Sequence, residues 1–336
     1  MRQPTLVDIA RRVGVTKAAV SLALNGQPGV SAATRERILA IANEIGFQPS
    51  SAARALTAGR SGAFGLVIDR PARTLGIEQY FMQLLSGIQT ELAGHHVTLL
   101  FTMAENADDE IRMYRQWWAQ RRVDGVIVVD LQVNDRRVGV LEELNMPAVV
   151  VGTPRGSGSL PVVWQDDQAA VQMVIGHLAD LGHRRIARVG GYGKYWHSAL
   201  RSASFTEIAA EAGLSTATAE GDYSAGYAAG ATRELLESER PPTAILYDSD
   251  VMAVAGLGMA QRLGVSVPSG LSIVSWDDSA LCELTHPAVT ALHRDIAAAG
   301  AMAARMLRKM AAGGAPGNFG EPAPELVVRG SSGPVG

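Results

Sequence analysis

From residue 62 onward, short β-branched runs alternate with amphipathic stretches, and this alternation restricts the fold more than any other feature of the chain. The runs at 62–69 (GAFGLVID), 97–101 (VTLLF), 124–129 (DGVIVV) and 147–152 (PAVVVG) read as strands. Helical spacing predicts helices near Gln79–Ala93, Asp108–Arg121 and Arg136–Leu144 between them. A second series follows, with strands at 184–191 (RRIARVGG), 243–249 (TAILYDS) and 271–278 (LSIVSWDD). Its helices are expected near Asp167–Leu181, Ala199–Ala212, Ala225–Leu236 and Val251–Leu263. Such alternation predicts parallel sheets covered on both faces, and two series predict two lobes. The first lobe is expected at about 62–160 plus 291–322, and the second at about 161–290 plus 323–330. In that reading the strand VTALHR and the helix Ile296–Met310 return to the first lobe. The Gly/Pro-rich stretch 313–324 is a loop, and ELVVRG is the last strand.

The first sixty residues differ in charge and pattern. They carry eight basic and three acidic residues, a balance of +5, whereas the rest holds 22 basic and 30 acidic, a balance of -8. A basic head on an acidic body is the footprint of a nucleic-acid-binding module joined to a domain of another kind. Thr5 is placed to cap a helix over Leu6–Val13, with Asp8 in its positive first turn. Gly14 stops that helix, and Thr16 caps a second through Ala18, Val20, Ala23 and Leu24. Two short helices about a glycine turn form a helix-turn-helix, whose second helix enters the major groove. Ser31 caps a third helix, roughly Ala32–Ile45. Domain boundaries are expected at 1–48 for this unit and 49–61 for a linker. The linker segment Pro49–Gly59 has an N-cap serine and good helix formers, yet is too short to be helical alone.

The strings TLVDIARRVGVTKAAVSLALNG and GVSAATRERILAIANEIGFQPSSAARAL closely resemble the N-terminal region of the lactose/galactose repressor family, and the likeness runs over nearly the whole chain. The resemblance implies an all-α helix-turn-helix domain and hinge helix, then a two-lobed α/β domain like that of periplasmic binding proteins. It implies DNA contacts from Thr5, Leu6, Thr16, Lys17, Ala18, Ser21, Leu22 and Asn25, and phosphate contacts from Ser31 and Thr34. It assigns Ser50, Ala53, Arg54 and Leu56 to the hinge, with Leu56 as a wedge between base pairs in the minor groove. Ala18 and Leu22 depart from the polar residues common there in the family, and can make only apolar base contacts, whereas Lys17 can donate to guanine.

Open α/β sheets bind ligands beyond the carboxyl ends of their strands. Tyr80 and Phe81, Arg201, Tyr223, Ser249 and Asp250, and Trp276, Asp277 and Asp278 all fall there. Aromatic faces beside carboxylates and a guanidinium suit a polyhydroxylated ligand, whose C–H faces stack and whose hydroxyls take bidentate bonds. For Asp278 a helix-capping role is the favoured reading. The resembling family lines its effector cleft with these positions. Arg201 matches its R-x-x-G-F arginine, with Ser204 replacing the glycine, and Asp277 matches the first Asp of G-F/Y-D-D, with Ser275-Trp276 before it. Ser249 stands where the family often has Asn.

Other chemistries lack their residues. The run from Gly191 puts Trp196 where a dinucleotide fingerprint needs its third glycine. There is no phosphate loop, no G-x-S-x-G elbow and no H-E-x-x-H, and the seven histidines show no metal spacing. No cofactor is expected. One cysteine, Cys282, and the lack of a secretory start or an 18-residue apolar run point to the cytoplasm rather than to a membrane. The expected function is a sequence-specific DNA-binding transcription regulator: a homodimeric repressor of a pseudopalindromic operator, relieved by a sugar or nucleoside. A solute-binding protein of a transport system and an α/β enzyme with an appended helical domain are the alternatives. The first would share the two-lobed body but need a secretory signal, and the second would need a catalytic constellation.

Overall fold

The computed structural model describes residues 4–24, 26–47, 60–70 and 78–336, and divides into two compact units, Met1–Gly62 and Ala63–Gly336. In the first unit, α1 (Leu6–Val13), α2 (Lys17–Leu24) and α3 (Ala32–Glu44) enclose Ile9, Val13, Val20, Ala23, Ile38 and Ala42. Local chemistry sets the boundaries. The Thr5 N–H donates to the Asp8 carboxylate at 2.8 Å, and Gly14 takes the left-handed φ of 79° that a side chain would resist. Thr16 Oγ1 accepts from the Ala19 N–H at 3.1 Å, and Ser31 Oγ from the Thr34 N–H at 3.3 Å. Two of the head's cations serve the fold. Arg35 donates to the carbonyls of Ala23 and Gln27, and Arg37 to that of Val13.

The second unit contains two six-stranded sheets. Its strands are β1 (Ala63–Ile68), β2 (Thr98–Met103), β3 (Val126–Val128), β4 (Ala148–Gly152), β5 (Val162–Trp164), β6 (Arg185–Gly190), β7 (Ser215–Glu220), β8 (Ala244–Tyr247), β9 (Ser272–Ser275), β10 (Thr290–His293), β11 (Phe319–Gly320) and β12 (Glu325–Val327). The first sheet runs β11-β5-β4-β3-β1-β2 and the second β12-β10-β9-β8-β6-β7; every pairing is parallel except the antiparallel β10–β12. Its helices are α4 (Gln79–Ala93), α5 (Ala107–Ala119), α6 (Arg136–Glu143), α7 (Asp167–Asp180), α8 (Trp196–Glu211), α9 (Ala225–Leu236), α10 (Asp250–Arg262), α11 (Ala280–Leu284) and α12 (Ile296–Ala311). Both faces of each sheet are buried, in four apolar clusters.

Four expectations are corrected. The strand within VTALHR does not return to the first lobe: β10 pairs with Val274 and Ser275 of β9, and the chain crosses only after it. Conversely β5, beyond the expected end of the first lobe, pairs with β4. The stretch 313–324 is not all loop, because Phe319 and Gly320 add an edge strand beside Val163 and Trp164. Pairing set these outcomes: each short run completes whichever sheet offers an open parallel edge. The second lobe also extends past residue 330. Ser331 is fully buried, donating its hydroxyl to the Ile273 carbonyl, and the His183 imidazole bonds Ser272 and the Gly333 carbonyl.

The chain therefore passes between the lobes three times, at Gln165–Asp166, Arg294–Asp295 and Glu321–Pro324. The first two passages each end in an aspartate that caps the next helix, Asp166 on the Ala169 N–H and Asp295 on the Ala298 N–H. In the first lobe, α12 lies on α4 through glycines. A Cβ on Gly87 would overlap the backbone of Ala297, and one on Gly300 that of Leu84.

Candidate effector site and DNA-reading surface

Between the sheets' carboxyl ends lies a cleft that encloses about 800 Å³ of empty space, open solvent included. Nearly every strand end that meets it supplies a polar group: Arg70 after β1, Asp130 after β3, Asp248 after β8, Asp277 after β9. Each of the three crossings adds another, namely Gln165, Arg294 and Glu321. The pocket thus belongs to both lobes and to the passages between them.

Most of its charges are held in place. Arg70 Nε donates to Asp130 Oδ2 at 3.0 Å, and Asp130 adopts a left-handed φ of 51°. Arg294 bridges Gln165 Oε1 at 2.7 Å and Asp277 Oδ1 at 2.5 Å. Asp248, wholly buried, takes two bonds from the equally buried Arg188 and a third from the Gly191 N–H. Arg201 Nε stands 3.4 Å from Asp167 Oδ1, and its guanidinium lies over the Trp276 ring, 4.1 Å from the centroid. Each guanidinium has a carboxylate neighbour, while among the described residues Glu78, Asp250 and Glu321 have no cation within ion-pair distance.

Burial, with these neighbouring charges, shifts the titrating groups. Burial pushes the Glu78 carboxyl up to about 7, with Arg70 opposing and Asp130, Asp277 and Asp250 adding to the rise. Asp250 is also raised by burial, against the bond it accepts from Ser279. His197 is held well below the usual imidazole range by burial and by the guanidiniums of Arg201 and Arg70, so it is neutral when its Nε2 bonds the Tyr223 hydroxyl at 2.8 Å.

Of the eight buried side-chain polar atoms without a hydrogen-bond partner among the described residues, five belong to lining residues: Arg70 Nη1, Glu78 Oε1, Gln165 Nε2, Arg201 Nε and Arg294 Nε. Native proteins leave few such groups unsatisfied. Their concentration around one cleft points to a polar occupant.

The structure gathers Tyr80, Phe81, Arg201, Tyr223, Ser249, Asp250 and Asp277 around the cleft. Ser249 also caps α10 through the Met252 N–H. Trp276 is a correction: it has no exposed surface and does not line the cleft. It falls two residues after Val274 and shares that residue's face, packed among Leu246, Ile186 and Phe205, so it supports Arg201 from beneath instead of stacking on a ligand. Asp278 does not cap a helix either; Arg329 takes it at 2.8 and 3.0 Å. Sequence reasoning missed Arg70, Glu78, Asp130, Gln165, Asp167, His197, Asp248, Arg294 and Glu321. The strand-end rule applied to VIDR, VVD, YD and LHR would have found four of them.

In the head, Thr16, Lys17 and Ala18 are exposed at the start of α2, while Ser21 and Leu22 are half-buried. Leu22 stays outside the small core. Thr5 and Leu6 open α1, and the Ser31 hydroxyl donates to Thr34 Oγ1 at 2.9 Å. Asn25, Ser50, Ala53, Arg54 and Leu56 lie outside the described residues.

A helix-turn-helix unit and a two-lobed α/β domain with a polar cleft define a ligand-responsive DNA-binding regulator. The comparisons with known proteins make this specific. Residues 5–50 match the model for bacterial regulatory proteins of the lacI family, and residues 175–332 that of a periplasmic binding protein-like domain. The transcriptional regulator AglR of Rhizobium meliloti is 31% identical over 351 residues, covering 98% of this chain and 94% of the relative. A crystal structure of a LacI family regulator from Bifidobacterium animalis subsp. lactis is 37% identical with a TM-score of 0.77, over 82% of this chain and all of that one. A complex of the regulator CelR with cellobiose is 26% identical with a TM-score of 0.75, over 98% of this chain and all of that one. The chain belongs to the lacI family of bacterial regulatory proteins and is a helix-turn-helix transcription regulator. Among the described residues no helix is long and apolar enough to cross a membrane.

Proposed function

We propose that this regulator acts in the cytoplasm, without a catalytic step, as a homodimeric repressor whose hold on a pseudopalindromic operator weakens when a neutral sugar occupies the cleft. The observation that carries this reading is the ring of five buried polar atoms on Arg70, Glu78, Gln165, Arg201 and Arg294, drawn from both lobes and two crossings, that make no hydrogen bond among the described residues. Sugar hydroxyls both donate and accept, so they can satisfy guanidinium N–H groups and carboxylate oxygens in one site. Arg201 and Asp277 would clamp hydroxyls, with Ser249 and Asp250 beside them, and Tyr80, Phe81 and Tyr223 would supply apolar faces. The cellobiose of CelR favours a saccharide over a nucleoside.

On DNA, Lys17 would read a base edge beside Thr16, Ala18, Ser21, Leu22 and Asn25, with Thr5, Leu6, Ser31 and Thr34 at the backbone. The segment with Ser50, Ala53, Arg54 and Leu56 would serve as hinge, Leu56 entering the minor groove. Coupling between cleft and operator would amount to about 1–3 kcal/mol and act reciprocally.

The test is an electrophoretic mobility shift on DNA flanking the protein's own gene, titrated with cellobiose, maltose and other neutral oligosaccharides. Release by at least one sugar, lost in Arg201→Ala and in Asp277→Ala with operator binding kept, is the expected result. Specific DNA binding that no sugar alters, or variants that respond at wild-type concentrations, would move the effector site elsewhere.

A further inference from the structure

Resting on that reading, a second relationship across the cleft governs how Arg201 and His197 are presented. Both sit in the first two turns of α8, which begins at Trp196 in the second lobe. The residues just before it are laced to the first lobe. The Val133 N–H donates to the Lys194 carbonyl at 2.9 Å, and the Trp196 N–H to the Leu131 carbonyl at 2.8 Å. These two bonds form an isolated antiparallel bridge between Gln132 and Tyr195. Lys194 Nζ stands 3.4 Å from Asp69, and the Tyr195 hydroxyl donates to the Asp69 carbonyl at 3.4 Å.

The Trp196 side chain does not pack in its own lobe. It lies against the first-lobe cluster that contains Leu131, Val138 and Leu160. Its indole is seated on Gly156, at φ 78°, where any Cβ would collide with the ring nitrogen. That nitrogen is buried and makes no hydrogen bond among the described residues, so apolar contact holds the ring.

We propose that Trp196 is a positioning residue: an apolar anchor that pins the N-terminus of α8 to the first lobe and so sets His197 and Arg201 against Arg70 and Asp130 across the cleft before any ligand arrives. The two backbone bonds of this bridge and the two long contacts to Asp69 are too few to hold two lobes against water, since each exposed bond contributes only about 1 kcal/mol net. Burying an indole supplies the missing apolar area.

Hydrogen exchange on the full-length protein, without ligand, tests this directly. In the wild type the Val133 and Trp196 amides should exchange more slowly than surface loops. In Trp196→Ala they should exchange at least tenfold faster, while amides within β3 and β6 keep their protection. Trp196→Phe should restore part of it. Val133 and Trp196 amides unprotected in the wild type, or equally protected in Trp196→Ala, would overturn the anchor. If Trp196→Ala does not fold, wild type and Trp196→Phe carry the comparison, and identical exchange in the two overturns it. A wild type that responds to no sugar but shows the protected latch would count against the proposed effector and leave the anchor standing.

Discussion

The guanidinium of Arg201 rests on the indole of Trp276, 4.1 Å from ring centre to Cζ, and that ring has no exposed surface. The arginine therefore faces the cleft from a rigid apolar floor. A desolvated cation–π contact contributes about 0.5–2 kcal/mol. Trp276→Phe should keep operator binding while raising the sugar concentration for half-release by roughly 3–30-fold, the same energy at ~1.4 kcal/mol per tenfold. Mobility-shift titrations measure this, and an unchanged midpoint would show that Arg201 holds its place without the ring.

Glu78 gives the cleft a pH signature. Its carboxyl is raised from the ordinary 4.5 to about 7, so between those values the unfolded chain ionises while the folded chain resists. Stability contributed by this group is full below about 4.5 and lost as pH rises through about 7. Glu78→Gln should remove that loss and stabilise the free protein at pH 8, by at most ~3 kcal/mol. Thermal melts of both proteins from pH 4.5 to 8.5 measure it. Parallel curves would mean that Glu78 ionises normally.

Gly300 ought to be improvable by the rules of an isolated helix, where Ala is better by about 1 kcal/mol. Here a Cβ would overlap the Leu84 backbone of α4. Gly300→Ala is accordingly expected to destabilise the domain by ~1–3 kcal/mol, as overpacking does. Urea unfolding checks the sign, and a gain in stability would show that α12 can slide to make room.

Lys17 is exposed at the start of α2, and its ammonium makes no ion pair among the described residues. Lys17→Ala should relax the preference for one guanine by about 1–3 kcal/mol. A phosphate contact would instead weaken all sequences alike and reduce the salt slope by about 0.9. Binding to a set of single-base operator variants at two salt concentrations separates these outcomes.

Strong periodicity was legible to the residue. Gln79–Ala93 and Ala225–Leu236 form as the spacing predicts, because each carries an apolar face long enough to fix its ends. The polar run STATAE hid β7, an edge strand whose stability comes from pairing with β6. Three-residue β5 and two-residue β11 are too short to show any period. In the cleft, Arg201 and Asp277 were readable from their place after strands. Gln165 and Glu321 were not, since their function comes from the crossings, and crossings are a property of sheet pairing rather than of local sequence. Trp276 was misread because its strand alternation with Val274 outweighs its nearness to Asp277.

The return of α12 onto α4 also fixes the order in which the protein can be completed on a ribosome. The helix Gln79–Ala93 emerges early, but the surface that covers it, Ile296–Ala311, is not made until the whole second lobe has been synthesised. At roughly 5–20 residues per second that interval is about 10–40 s. Throughout it, Leu84 and Ile88 lack the α12 side chains that share their cluster, so the nascent first lobe keeps apolar surface open to water until the second lobe is made.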